Sequence, residues 1–171
     1  YVNQQSKNSK YGTVDSLETS VTTNKESLIH IRINTEQLGL PSNATIVEAN
    51  LELTRDSSAN NAMLSMHEME PGQWVEDEVN WNRQANGVTW QDGGREFSST
   101  ASATAINGSQ TSSDFSFAFT DVLQKWLQSS TTDSSDFMIT ARGQNEAFLS
   151  TGTKSTSFFS SQVSDDAKKP Q

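Results

Sequence analysis

A chain of 171 residues suits one domain with a single core, because 8 Phe and 4 Trp residues offset a hydrophobic content of only 32%. The absence of Cys excludes disulfides and thiolate chemistry. The net charge of −9 without clustered Lys or Arg argues against a nucleic-acid partner, and no apolar run has the length that membrane insertion requires.

Short runs of alternating apolar and polar residues, typical of strands with one buried face, recur along the chain. In the clearest run, 28–33, three Ile residues are predicted to face the core, and His30 and Arg32 to face outward. His67 is predicted to face outward from another strand. Strands are predicted at residues 16–21, 28–33, 44–54, 62–69, 115–119, 137–142 and 157–161.

Residues 120–129 change to a helical period, with four apolar residues on one stripe and Thr120 as the predicted N-cap. The whole pattern predicts an all-β fold, a jelly-roll antiparallel β-sandwich with one short helix. Residues 1–171 are interpreted as one monomeric domain of a larger exported protein, so a secreted, extracellular location is expected.

Three of the four Trp residues lie within residues 74–94, among acids, Asn and Gly. Trp74 and Trp81 are predicted to anchor this long segment to the edge of the core, and Trp126 to pack the helix onto the sandwich. Trp90 is equally consistent with core packing and with an exposed ring that stacks on a sugar.

No pattern in the sequence indicates catalysis. The two His residues occur in unrelated contexts, and neither a G-x-S-x-G nor an H-E-x-x-H motif is present. Paired carboxylates, which glycoside hydrolysis uses, remain open because any two acids can meet in the fold. The acids lie mostly in polar loops that would not raise a carboxyl pKa. The chain is therefore predicted not to be an enzyme.

Acidic loops at residues 76–78, 92–94 and 133–136 offer oxygen ligands, but none has EF-hand spacing. A structural calcium ion that ties loops together and an ordinary solvated surface both remain open. The isolated cations also allow two interpretations. They form either weak surface salt bridges, or, if the strands that carry Arg32 and Arg142 are neighbours, a basic strip that binds carboxylates.

Several segments follow one another in a recognisable order. They include N-S-K-Y-G-T at 8–13, S-L-I-H-I-R-I at 27–33 and T-D-V at 120–122, and the most specific is W-x-E-x-x-V-x-W-N at 74–82. Over almost the whole chain, this order resembles the DNRLRE-type domain, which includes carbohydrate-binding module family 96. The resemblance implies a jelly-roll sandwich attached to exported proteins, often polysaccharide lyases, and binding to alginate-like uronic acid polymers.

We therefore expect a non-catalytic carbohydrate-binding module that tethers covalently linked catalytic or surface domains to an acidic polysaccharide, alginate by preference. The alternative is a structural or adhesive module of a surface protein. Cations would hold carboxylates, and Tyr11 and Trp90 would stack on sugar faces. The candidate ligand-binding residues are Lys10, Tyr11, His30, Arg32, Arg83, Trp90, Arg95 and Arg142.

Overall fold

The computed structural model describes residues 1–22, 25–34, 38–56, 63–69, 74–91, 101–106, 114–129, 134–141 and 154–171. Within them lie eleven strands, one α-helix and a short 3-10 helix at Asp166–Lys168. The strands are β1 (Val2–Asn3), β2 (Ser16–Thr22), β3 (Lys25–Asn34), β4 (Asn50–Thr54), β5 (Met63–Glu68), β6 (Arg83–Ala85), β7 (Val88–Thr89), β8 (Ala103–Ile106), β9 (Asp114–Ala118), β10 (Ser134–Thr140) and β11 (Lys154–Phe159). The helix, α1, is Thr120–Gln128.

A large sheet organises the fold. Its strands follow the order β11-β2-β3-β10-β5-β8, and β1 also pairs with β3. β4 and β9 form a separate pair, and β6 and β7 form a hairpin. All of these pairings are antiparallel. The predicted all-β class with one short α-helix is confirmed among the described residues, and the jelly-roll connectivity stays a prediction.

One face of the large sheet carries the main hydrophobic core. Ile29 of β3 and Phe137 and Ile139 of β10 pack with Leu53 of β4 and Phe117 of β9. The alternation in β9 explains its half-buried state, since its Phe residues are buried and the residues between them are exposed. Two layers of strands with apolar side chains between them make the sandwich that the alternating runs predicted.

The opposite face of the large sheet is also covered, which the sequence pattern did not predict. Leu28 and Met138 belong to a second apolar cluster that includes Trp74, Trp81 and Trp90. Each large aromatic ring removes about 150–250 Å² of surface from water, so three indoles suffice for a second core. We call the segment 74–90, which supplies these indoles, the tryptophan layer.

Both His residues are buried. The prediction that His30 and His67 face outward is wrong, because His30 is only 7% exposed and His67 is similarly buried. His67 Nε2 lies 2.9 Å from Ser65 Oγ. Alternation correctly separated the two faces of the strands, but it could not show that both faces are covered.

The N-cap of the helix lies one residue before the predicted one. Phe119 is the N-cap, while Thr120 is the first helical residue and its Oγ1 accepts a hydrogen bond from Ala49 N at 3.0 Å. The predicted role of Trp126 is confirmed, since its ring lies 4.7 Å from that of Phe137 in the core.

Two other elements differ from expectation. The strand predicted at 44–54 is limited to β4, because Gln124 of α1 accepts from Ile46 N and donates to Ala44 O. Those backbone groups therefore bond to the helix instead of a strand. The β6–β7 hairpin was missed, although Asn86-Gly87 with a Gly87 φ of 82° is a strong two-residue turn signal.

No helix in the described part of the chain is both long and apolar enough to cross a membrane.

Candidate functional site

A cavity of about 210 Å³ opens beside β3, where three distant segments of the chain meet. Tyr1 and Tyr11 come from the first segment, Trp74 and Glu76 from the tryptophan layer, and Ser160, Ser161 and Pro170 from the third. Three of the predicted ligand residues, Tyr11, His30 and Arg32, line this cavity together. We call it the tyrosine cavity.

Two stacked tyrosines form one wall of the tyrosine cavity. The ring centroids of Tyr1 and Tyr11 are 4.2 Å apart, with 18° between the ring planes. Burial, the nearby charges of Tyr11 and Glu18 and a hydrogen bond with Tyr11 raise the pKa of the Tyr1 phenol to about 12. The hydroxyl of Tyr1 therefore keeps its proton at neutral pH, where it can donate a hydrogen bond.

Because its pKa is raised, the Tyr1 phenol should ionise late in an alkaline titration that is followed by tyrosinate absorbance. The pKa of the Tyr1 phenol is raised from 10.0 to about 12 on folding, so its contribution to stability is complete below about pH 10. This contribution is lost as the pH rises through about 12. In the variant Tyr1→Phe the late step should disappear, and its persistence there would contradict the assignment.

Arg32 lies at the rim of the tyrosine cavity and is held by a two-point ion pair. Its Nε and Nη2 donate to the two carboxylate oxygens of Asp136 at 2.7 and 2.9 Å. The hydrogen bond that Arg32 donates to Asp136 raises the pKa of Arg32 above its ordinary value. The Arg32 side chain is 38% exposed whereas that of Asp136 is 3% exposed, so a ligand can reach the guanidinium but not its partner.

The same guanidinium also packs on the tryptophan layer. The Cζ atom of Arg32 lies 4.7 Å from the centroid of the Trp74 ring, a cation–π geometry. The antiparallel register places Arg32 opposite Asp136 across β3 and β10. Arg32 is thus fixed from two sides, which reduces the entropy that a ligand would lose by ordering it.

Loss of the two-point ion pair predicts a measurable fall in stability. Arg32→Ala leaves the buried Asp136 carboxylate without this partner, and we expect the free energy of unfolding to fall by about 1–2 kcal/mol, since Arg32 is partly solvated. Arg32→Lys should recover only part of this loss because an ammonium cannot make the planar two-point contact. Urea unfolding measures both variants. Full recovery with Lys would show that only the charge matters.

His30 forms the floor of the tyrosine cavity. Its ring lies 5.7 Å from that of Trp74 and 5.3 Å from that of Trp90, at steep angles to both. Because the ring is only 7% exposed, His30 contributes to the shape of the cavity more than to direct contact with a large ligand.

Polar contacts tie the three segments around the cavity together. Asn82 Nδ2 donates to Asn8 Oδ1 at 2.9 Å, and Gln162 Nε2 donates to Glu76 Oε1 at 3.4 Å. The hydroxyl of Ser160, a wall residue, donates to Val14 O at 2.6 Å. The wall of the cavity is therefore largely formed before any ligand binds.

Of the other predicted ligand residues, those that the structure describes do not line the tyrosine cavity. Trp90 is 7% exposed and its Nε1 donates to Asn80 O at 2.8 Å, so of its two open interpretations the structure supports core packing and not an exposed stacking ring. The anchoring role predicted for Trp74 and Trp81 is confirmed, because both rings are buried in the second cluster. Among the described residues, exposed Lys10 and Arg83 are not part of the cavity wall. Arg95 and Arg142 lie outside the described residues.

Three important residues were not among the predicted ligand residues. Tyr1 and Glu76 line the cavity, and Asp136 positions Arg32. Asp136 was predicted to lie in an acidic loop, but β10 begins at Ser134 and includes it, and a cross-strand pairing of β3 and β10 would have identified its contact with Arg32. Nothing in the local sequence shows that pairing, because the two residues are 104 positions apart.

The acidic loops do not form a recognisable metal centre in the part of the chain that is described. No group of three or more His, Asp or Glu side chains has metal-binding geometry there. Glu78 accepts a hydrogen bond from Asn86 N at 2.8 Å, and Asp136 binds Arg32. Residues 92–94 and Asp133 lie outside the described ranges, and a structural calcium ion stays a prediction.

No protein-family model matches the sequence, and a search of curated proteins found no similar sequence. The resemblance to the DNRLRE-type domain and to carbohydrate-binding module family 96 therefore stays a prediction.

Proposed function

We propose that this chain is a non-catalytic, extracellular carbohydrate-binding module. Its ligand would be an acidic polysaccharide, alginate or a similar uronic acid polymer, to which it would tether covalently linked domains. One observation supports this most directly. The tyrosine cavity combines a stacked aromatic wall with a fixed, partly exposed arginine.

The two parts of the cavity suit the two sides of a uronic acid. A sugar ring has an apolar face of C–H groups that packs well on Tyr11, which is half-buried in the wall. Its carboxylate would lie toward Arg32, whose planar guanidinium binds carboxylates with directional hydrogen bonds. Asp136 keeps the guanidinium in place but also offsets part of its charge, as does Glu76 nearby. We therefore expect modest affinity.

Retention in native gels that contain alginate tests the proposal. Tyr11→Ala removes the stacking face and should weaken binding roughly 5- to 150-fold, if a sugar face stacks on the ring as strongly as the roughly 1–3 kcal/mol that a base contributes. The matched control is Lys25→Ala, which removes one exposed cation at the opposite end of β3 from Arg32. It should bind like the wild type.

Salt and ligand charge test the role of Arg32. Binding to alginate and pectate should weaken as salt rises, because exposed charges are screened over about 10 Å at 0.1 M salt. Equal binding to neutral agarose or cellulose would exclude the proposed contact between Arg32 and a carboxylate. No retention on any glycan would favour the structural or adhesive alternative.

Catalysis is a second candidate because a Tyr, a His and an Arg line one cavity. Elimination at a uronate needs a base that removes the proton beside the carboxylate and an acid that protonates the leaving oxygen. The Tyr1 phenol, with its raised pKa, is a poor base, and His30 is nearly buried. New unsaturated ends during incubation with alginate, lost in Tyr11→Phe, would replace the non-catalytic proposal.

A further inference from the structure

We infer that the binding surface continues past Tyr1 into a second subsite, which takes a neighbouring sugar unit through its hydroxyl groups and not through a carboxylate. This inference rests on the proposed function of the tyrosine cavity and names the ligand more closely. The ligand is an oligosaccharide of at least two units that passes over Tyr1.

A second cavity, of about 290 Å³, shares Tyr1 with the tyrosine cavity. Its other walls come from two paired strands at the edge of the large sheet, Ser16 and Glu18 of β2 and Ser155, Thr156 and Ser157 of β11. Tyr1 therefore stands between two depressions, and a chain of sugars that stacks beside this ring meets both.

The register of β2 and β11 explains why this second cavity is lined by hydroxyls. Thr156 and Phe158 of β11 are buried, so the alternate residues Ser155 and Ser157 lie on the other face of the strand. Glu18 pairs with Ser157 across the two strands. Ser155 is only partly buried, in contrast to Leu28 and Met138, which the tryptophan layer covers.

The chemistry of the second cavity differs from that of the first. Serine and threonine hydroxyls both donate and accept hydrogen bonds, which matches the hydroxyls of a sugar. The only charged side chain among its described wall residues is Glu18, which repels a carboxylate. The two cavities thus differ in electrostatics, because the first has Arg32 as well as Glu76 in its wall and the second has Glu18 alone. A bound uronate in the second subsite must direct its carboxylate away from Glu18.

The volumes support a ligand that spans both cavities. Each cavity alone is smaller than the roughly 300–1,000 Å³ of most small-molecule sites, and the two together fall within that range. A single sugar in the tyrosine cavity would leave the second depression to water. A second unit adds hydrogen bonds without a further loss of overall rotational freedom, so affinity should rise steeply between one and two units.

Isothermal titration calorimetry with uronate oligosaccharides of one to four units, prepared from alginate, tests the second subsite. For the wild type we expect the two-unit ligand to bind at least tenfold more tightly than the one-unit ligand. Ser155→Trp fills the second cavity and should reduce the two-unit affinity to the one-unit level, with one-unit binding unchanged. The matched control is Ser116→Trp, an exposed serine of β9 on the other sheet, which should change neither.

Glu18→Gln keeps the shape of the cavity and removes its charge, so it tests the inference even if Ser155→Trp does not fold. We expect the two-unit uronate to bind about threefold more tightly to this variant, with one-unit binding unchanged. The second subsite would be overturned if affinity did not depend on the length of the oligosaccharide and neither Ser155→Trp nor Glu18→Gln changed it. If Tyr11→Ala still weakened binding, the proposed function would stand. Failure of every uronate to bind the wild type would overturn both.

Discussion

Trp74→Ala is expected to lower the free energy of unfolding by about 3–5 kcal/mol, the range for removing a buried aromatic ring from a packed core. The Trp74 ring is buried in the second apolar cluster and supports both His30 and Arg32. Its loss would leave a void under the tyrosine cavity as well as a smaller core. Chemical denaturation measures the first effect, and retention on alginate measures the second, which we expect to be nearly complete loss.

Trp74→Phe is the matched control for this prediction. The buried Nε1 of Trp74 has no hydrogen-bond acceptor among the described residues, so the change to Phe removes no hydrogen bond. It keeps an aromatic ring beneath Arg32 and should retain more than half of the stability lost in Trp74→Ala. Similar denaturation midpoints for Trp74→Ala and the wild type would show that the tryptophan layer does not stabilise the sheet.

Gly12→Ala is expected to lower the free energy of unfolding by about 3 kcal/mol, the upper end of the range for overpacking. A Cβ at position 12 would overlap the backbone carbonyl of Glu76 and lie 2.9 Å from Asp77 Cα. Backbone atoms cannot rotate away as the end of a side chain can. The segment with Tyr11 and the tryptophan layer would have to separate, and the tyrosine cavity would change shape with them.

Two measurements separate the local strain from a general effect of alanine. Gly87→Ala introduces the same methyl group where no atom lies within 4 Å, although the positive φ of Gly87 makes it mildly strained. It should leave alginate binding unchanged, whereas Gly12→Ala should weaken binding even at temperatures where it is fully folded. Unchanged binding by folded Gly12→Ala would mean that the contact with Glu76 does not shape the cavity.

Local periodicity predicted the strands with one buried face and one exposed face, because such a strand carries its pattern in its own sequence, whereas β6, β7 and β8 were missed. The strand at 28–33 lies within β3, and the Phe residues at 115 and 117 lie in β9 as expected. The buried state of Trp74 and Trp81 also followed from their spacing and polar surroundings. These features depend on residues close together in the chain.

The candidate site was predicted only in part, for a physical reason. His30 and Arg32 share one side of β3, and whether that side meets water depends on a segment more than 40 residues away that covers it. The tryptophan layer buries His30 but leaves Arg32 partly exposed. The predicted outward position is therefore wrong for His30 and holds in part for Arg32. Tyr1 and the second cavity depend on a pairing of β2 with β11 that no local pattern reveals.

The wall of the tyrosine cavity has a consequence for the order of folding. Residues near positions 1, 12, 76 and 160 meet there, and the ion pair at its rim joins positions 104 residues apart. Contacts so distant in sequence form slowly, because loop closure must precede any gain from packing. During synthesis β3 therefore lacks its partner β10, and β2 lacks its partner β11, until those later strands are made. Until then one edge of each early strand is unpaired. The tyrosine cavity can therefore bind a glycan only after the last stage of folding.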